Sequence, residues 1–131
     1  MAHCLIVDDS RVIRTVAHKI FEELHFSVVE AEDGMAALRA AREKMPDLIL
    51  LDWSLPGMTG LEFVRSLRGQ PDGARPLILV ATTEMDAGEI AHAVAAGIDD
   101  YVMKPFDREI LSAKLAEMNR PQFVARAAAT G

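Results

Sequence analysis

A single cysteine, Cys4, is all the thiol chemistry in the chain. One cysteine excludes an internal disulfide and a cysteine-built zinc site, and its place in the apolar run Cys4-Leu5-Ile6-Val7 reads as core filling. No apolar run approaches the length needed to cross a bilayer. The start, Met1-Ala2-His3-Cys4, lacks the basic stretch and long apolar segment of a signal peptide. A cytoplasmic protein with no membrane association is expected. Positive charge is also scarce: a formal net charge of −6 argues against a general electrostatic footprint for nucleic acid, which draws its strength from counterions released around phosphates. The four histidines, His3, His18, His25 and His92, fall on different elements and read as surface or helix-face residues, not as ligands. Internal repeats are absent.

What remains is ordinary globular composition, with half of the 131 residues hydrophobic and 26% charged. That length fits one domain with a real core. The expected division is a domain over 1–120 followed by a short, Ala-rich flexible tail over 121–131, with no output domain.

Apolar runs and helical periodicity alternate along the chain. Cys4–Val7 reads as a strand ending in Asp8-Asp9-Ser10. Val12, Ile13, Val16, Ile20 and Leu24 then recur at helical spacing, with Ser10 a candidate N-cap. Phe26–Ala31 is a second strand, and Asp33-Gly34 opens a helix carrying Ala37, Leu38 and Ala41. The four apolar residues Leu48–Leu51 are bounded by Asp47 and by Asp52 before a Pro56-Gly57 turn, the pattern of a strand buried on both faces. Leu61, Phe63, Val64 and Leu67 mark a third helix, and Gly69–Pro76 a connector. Leu77–Ala81 is a fourth strand, ending in Thr82-Thr83-Glu84. A helix with Ile90 and Val94 on one side closes at Gly97, the expected C-cap. Tyr101–Met103 is a fifth strand, and Ile110, Leu111, Leu115 and Met118 mark the last helix. Five strands alternating with five helices predict an α/β fold, (βα)5, with a doubly wound parallel sheet in the flavodoxin-like order 2-1-3-4-5.

In that topology the carboxyl ends of strands one, three, four and five share one edge, where such sheets bind ligands. The sequence puts Asp8 and Asp9, Asp52, Thr82 and Lys104 there. Clustered carboxylates raise each other's pKa unless a cation lies between them, and an all-oxygen site with few carboxylates suits Mg²⁺. A metal, a lysine and a hydroxyl around a central carboxylate are equipment for holding a phosphoryl group, which makes Asp52 the candidate nucleophile for an aspartyl phosphate.

These residues, together with Leu51-Asp52-Trp53-Ser54-Leu55-Pro56-Gly57-Met58-Thr59-Gly60 and Tyr101 with Lys104-Pro105-Phe106, resemble the receiver domains of two-component response regulators, and among them the single-domain chemotaxis regulators of the CheY kind. The resemblance spans His3 to about Asn119. It implies that Asp52 accepts a phosphoryl group from the phosphohistidine of a sensor histidine kinase or phosphotransfer protein. Asp9, Asp52 and the backbone carbonyl of Ser54 would bind Mg²⁺, with Asp8 helping through water, while Lys104 would pair with the phosphoryl oxygens. Thr82 and Tyr101 would act as a switch reshaping the surface of helix four, strand five and helix five, and the Lys104-Pro105 peptide would be cis. The implied downstream partner is a protein such as a flagellar-motor component, with no DNA and no membrane. Ser54, Thr59 and Thr83 depart from the commonest family pattern near Asp52 and Thr82, which bears on the lifetime of the phosphorylated state.

Other readings compete. Arg108, Arg120 and Arg126 are the residues that would bind a cyclic dinucleotide, and the same fold also serves as a phosphate sink or adaptor. A hydrolase needs a second acid two residues after the nucleophile, where this chain has Ser54. Flavin binding needs a phosphate loop after the first strand, where Asp8 and Asp9 would repel the phosphate.

Overall fold

The computed structural model describes residues 1–118. Its elements run β1 (His3–Val7), α1 (Arg11–Glu23), β2 (Ser27–Ala31), α2 (Gly34–Glu43), β3 (Leu48–Asp52), α3 (Gly60–Arg68), β4 (Leu77–Thr82), α4 (Ala87–Ala96), β5 (Asp100–Met103) and α5 (Arg108–Glu117). Every strand pair is parallel, in the order β2-β1-β3-β4-β5. This is the arrangement expected from the sequence. The tail of 121–131 lies outside the described residues. No helix among the described residues is long and apolar enough to cross a membrane.

The continuous apolar runs have a simple cause: alternate residues of one strand feed two separate cores. Cys4 and Ile6 of β1, Leu48 and Leu50 of β3, and Leu77 and Leu79 of β4 face a core closed by α1 and α5. Leu5, Val7, Ile49, Leu51, Ile78 and Val80 face the other, closed by α2, α3 and α4. With both faces covered there is no polar side to alternate with.

Helix starts follow local hydrogen bonding. Ser10, Asp33, Asp86 and Asp107 each accept a backbone N–H from the first turn, and Thr59 and Glu62 form a reciprocal capping box on α3. Gly97 ends α4 with φ +122°, a conformation that L side chains rarely adopt.

Three readings of helix faces need correction. In α1 the buried residues are Ala17, Ile20 and Phe21, followed by Leu24, whereas Val12 is 71% exposed and Val16 45%. The first turn of α1 carries apolar residues outward. In α4 only Ala93 is buried, and Val94 is exposed; in α5 Ile110 is likewise exposed. Of the four histidines, His3 alone differs from the expected surface or helix-face placement. His3 is buried in β1 with Nδ1 3.1 Å from Ser27 Oγ, and burial, with Lys44 nearby, lowers its pKa.

Candidate functional site

Four chain segments converge at the carboxyl edge of the sheet. The ladder between β1 and β2 runs one residue past Val7, where the Asp8 amide donates to the Ala31 carbonyl at 3.1 Å. The chain then turns into α1. Asp8 Oδ1 accepts the Ser10 amide at 2.8 Å, and Ser10 Oγ caps α1, so the acidic pair is not itself the cap. This leaves Asp8 Oδ2 pointing to Lys104 and Asp9 exposed.

Asp52 ends β3 in register with Ala81 of β4, and is 6% exposed. Its Oδ1 accepts the Ser54 amide at 3.1 Å. Across the sheet, the Lys104 amide donates to the Thr82 carbonyl at 2.8 Å, which holds the residue after β5 against the end of β4. From there the Lys104 ammonium lies 2.8 Å from Asp8 Oδ2 and 3.4 Å from Asp52 Oδ1. The Lys104-Pro105 peptide is cis.

The electrostatics follow from this packing. Burial pushes the Asp52 carboxyl above the usual carboxylate range and the Asp8 charge adds to the rise; the Ser54 amide and Lys104 pull the other way without cancelling it. Burial works against the Lys104 ammonium, but its hydrogen bond to Asp8 and the charge of Asp52 outweigh that and raise its pKa.

Ligand oxygens of Asp8, Asp9 and Asp52 all come within 4.8 Å of one another. When ionised, three clustered carboxylates, two of them sharing one ammonium, leave uncompensated negative charge among oxygen ligands. That donor set fits a hard divalent cation of the size of Mg²⁺.

The remaining predicted residues are placed differently. Thr82 ends β4, 4% exposed, with its hydroxyl turned to the Glu84 peptide: Oγ1 donates to the Glu84 carbonyl at 3.0 Å and accepts the Glu84 amide at 3.3 Å. Tyr101 is half-buried and packs against the α2–α3–α4 core. Trp53 lies on Gly60 so closely that a Cβ there would come within 2.4 Å of the indole, so the loop after Asp52 is seated directly on the start of α3. Arg108 lies on α5 away from these groups, sharing a surface cavity with Glu109 and Ser112, while Arg120 and Arg126 are outside the described residues. One side chain escaped sequence reasoning: Arg14, whose Nη1 donates to the Asp8 carbonyl at 2.8 Å. A bond to a backbone carbonyl leaves no spacing or composition signal.

Residues 4–116 match the family described as the response regulator receiver domain. The chain belongs to that family, the regulatory phosphoacceptor module of two-component signalling. It is similar to the chemotaxis protein CheY of Pseudomonas aeruginosa, 33% identical over 115 residues that cover 87% of this chain and 93% of the relative. Among solved structures, chemotaxis protein CheY4 of Vibrio cholerae superposes with a TM-score of 0.86 at 35% identity, covering 90% of this chain and 98% of the other. The receiver domain of sensor histidine kinase PA1611 from Pseudomonas aeruginosa, with magnesium coordinated in its active-site cleft, gives a TM-score of 0.80 at 32% identity, covering 89% and 96%. The chain spans about half the length of other curated relatives: it covers 51% of the phosphate regulon regulator PhoB of Escherichia coli, at 34% identity.

Proposed function

We propose that the chain is a phosphorylation-controlled switch in which Asp52 takes a phosphoryl group from a phosphohistidine of a sensor kinase or phosphotransfer protein. One observation carries this reading: a buried carboxylate, Asp52, at the centre of the edge, flanked by buried Asp8 and exposed Asp9 and tethered to a lysine. Asp52 Oδ1 is engaged by the Ser54 amide and Lys104, whereas Oδ2 has no hydrogen bond or ion pair among the described residues and is free to attack phosphorus. The phosphorus–oxygen bond forms as the phosphorus–nitrogen bond of the donor breaks, and the departing imidazole keeps its electron pair. Lys104 already sits between Asp8 and Asp52 and is placed to transfer its hydrogen bonds to the incoming phosphoryl oxygens. Asp8, Asp9, Asp52 and the Ser54 carbonyl would hold Mg²⁺, which when bound supplies positive charge against the charge spread over the phosphoryl oxygens.

Signal output follows from what the phosphoryl group offers. Its oxygens give the Thr82 hydroxyl an acceptor to exchange for the Glu84 peptide, and Tyr101, half-buried on the neighbouring strand β5, then repacks. Val94, Met103 and Ile110 are exposed on α4, β5 and α5, the surface such repacking would alter. A protein partner there, of the flagellar-motor kind, is favoured by the likeness to chemotaxis proteins. The cyclic-dinucleotide reading loses support because Arg108 has Glu109 beside it, which opposes an anion.

The test is Trp53 fluorescence through a titration with Mg²⁺ and then acetyl phosphate or beryllofluoride. A metal-dependent change followed by a phosphodonor response that Asp52→Asn lacks is expected. Magnesium binding with no phosphodonor response would sink the switch and leave a pseudo-receiver.

A further inference from the structure

Asp9 is the least restrained of the three clustered carboxylates. It is exposed, and its side chain has no hydrogen bond or ion pair among the described residues, whereas Asp8 and Asp52 are each held by an amide and by Lys104. Its position therefore depends on its backbone. The peptide joining Asp8 to Asp9 is planar, so fixing the Asp8 carbonyl also fixes the amide and Cα of Asp9. That carbonyl lies where the β1–β2 ladder has ended and the chain is turning away, and the group it accepts from is the Arg14 guanidinium.

Arg14 is well anchored for such a task. Its side chain is 14% exposed, and its Nε donates to Glu30 Oε1 of β2 at 3.1 Å while Nη1 reaches the Asp8 carbonyl at 2.8 Å. Glu30 is restrained in turn by His18, whose Nδ1 lies 2.7 Å from Oε2. The planar fork thus joins α1, β2 and the end of β1 across one carbonyl, a geometry a lysine cannot reproduce.

The geometry points to Arg14 as a positioning residue for the cation site: it sets the Asp8–Asp9 peptide plane, and through it the carboxylate of Asp9. This rests on the reading of Asp8, Asp9 and Asp52 as the Mg²⁺ ligands. Groups that orient metal ligands from behind are worth about 10- to 100-fold in affinity when removed. Charge alone predicts the opposite sign, because removing a cation beside an acidic pocket should tighten binding of Mg²⁺.

That opposition of signs makes the experiment decisive. The Mg²⁺ dissociation constant is measured from Trp53 fluorescence and by calorimetry for wild type, for Arg14→Met, which keeps the packed stem, and for Arg11→Met. Arg11 is exposed on the first turn of the same helix, so its loss removes the same charge without the bond. The expected result is a dissociation constant raised about tenfold or more in Arg14→Met, and unchanged or lowered in Arg11→Met. Unchanged or tighter binding in Arg14→Met overturns the assignment, as does equal weakening in both variants. Melting of the metal-free proteins separates a folding defect from a positioning one. If Arg14→Met does not fold, Arg14→Lys retains the charge and is judged by the same criterion: weaker binding than wild type supports the role, and wild-type affinity removes it. A wild-type protein that binds no Mg²⁺ would instead undo the proposed function.

Discussion

The two edges of the sheet use the same residue type in opposite ways. At the amino edge, Asp47 precedes β3 and its Oδ2 accepts the His3 amide at 2.8 Å; Asp99 precedes β5 and its Oδ2 accepts the Ile78 amide at the same distance. Each carboxylate thus satisfies the first free amide of a neighbouring strand. Arg68 completes that edge, donating to the carbonyls of Gly73, Pro76 and Gly97 and to Asp99. At the carboxyl edge, Asp8 and Asp52 share one ammonium, Asp9 close to both has no partner among the described residues, and Asp52 is held above its ordinary pKa. One edge is satisfied and supports the fold. The other keeps unmet electrostatic demand, which is what a cation and a phosphoryl group can answer.

The sharpest test of that contrast is functional. Asp52→Asn should lose the phosphodonor response entirely, read as the absence of the mass increase of a phosphorylated protein after acetyl phosphate, whereas Asp47→Ala should keep it. Next in size, Arg68→Ala removes a partly buried donor from three backbone carbonyls and should lower stability by about 2–4 kcal/mol, measured by urea unfolding, with Mg²⁺ affinity unchanged. A smaller effect should differ in sign between the edges. Asp47→Ala leaves the buried His3 amide unpaired and should destabilise by about 1–2 kcal/mol, while Asp52→Asn should stabilise the metal-free protein by about 1 kcal/mol. Its sign follows from linkage: a raised carboxyl pKa in the folded state means that ionisation disfavours folding, so wild type carries this penalty once the pH passes the folded pKa and the Asn variant does not. Equal signs would erase the distinction between the edges.

The pH dependence that Lys104 contributes is the smallest effect, and it shows only at alkaline pH. The raised pKa of Lys104 means that the folded protein holds the proton more tightly than the unfolded chain. The resulting stability is fully present below the ordinary lysine pKa of about 10.4 and is lost as pH rises through the higher folded value. Lys104→Met should therefore lack this alkaline loss in melting profiles, and an unaltered profile would argue against the ion pairs seen here.

Much of this arrangement was legible in the sequence because the parallel sheet imposes a simple rule. Runs such as Leu48–Leu51 and Leu77–Ala81 have to be strands covered on both faces, and the residues following them must share an edge. Asp8, Asp52 and Lys104 followed from topology alone. The outward faces did not: Val12 and Val16 continue the periodicity of α1 yet lie in and just past its first turn, outside the buried stripe of Ala17, Ile20 and Phe21. Periodicity reports what could be buried, and the edge of the neighbouring element decides what is. The amino-edge network was equally hidden. Arg68 reaches Gly97 and Asp99 across 29 and 31 residues, largely through backbone carbonyls that carry no residue identity.

Cys4 lies wholly inside the sheet on β1, which pairs with both β2 and β3, and burial pushes its thiol pKa far upward. A maleimide in solution can reach it only when a central strand comes loose, so the labelling rate is a clock for opening of the whole fold. Because that clock runs without any introduced probe, it could time how much a phosphoryl mimic at one edge slows the release of a strand at the centre.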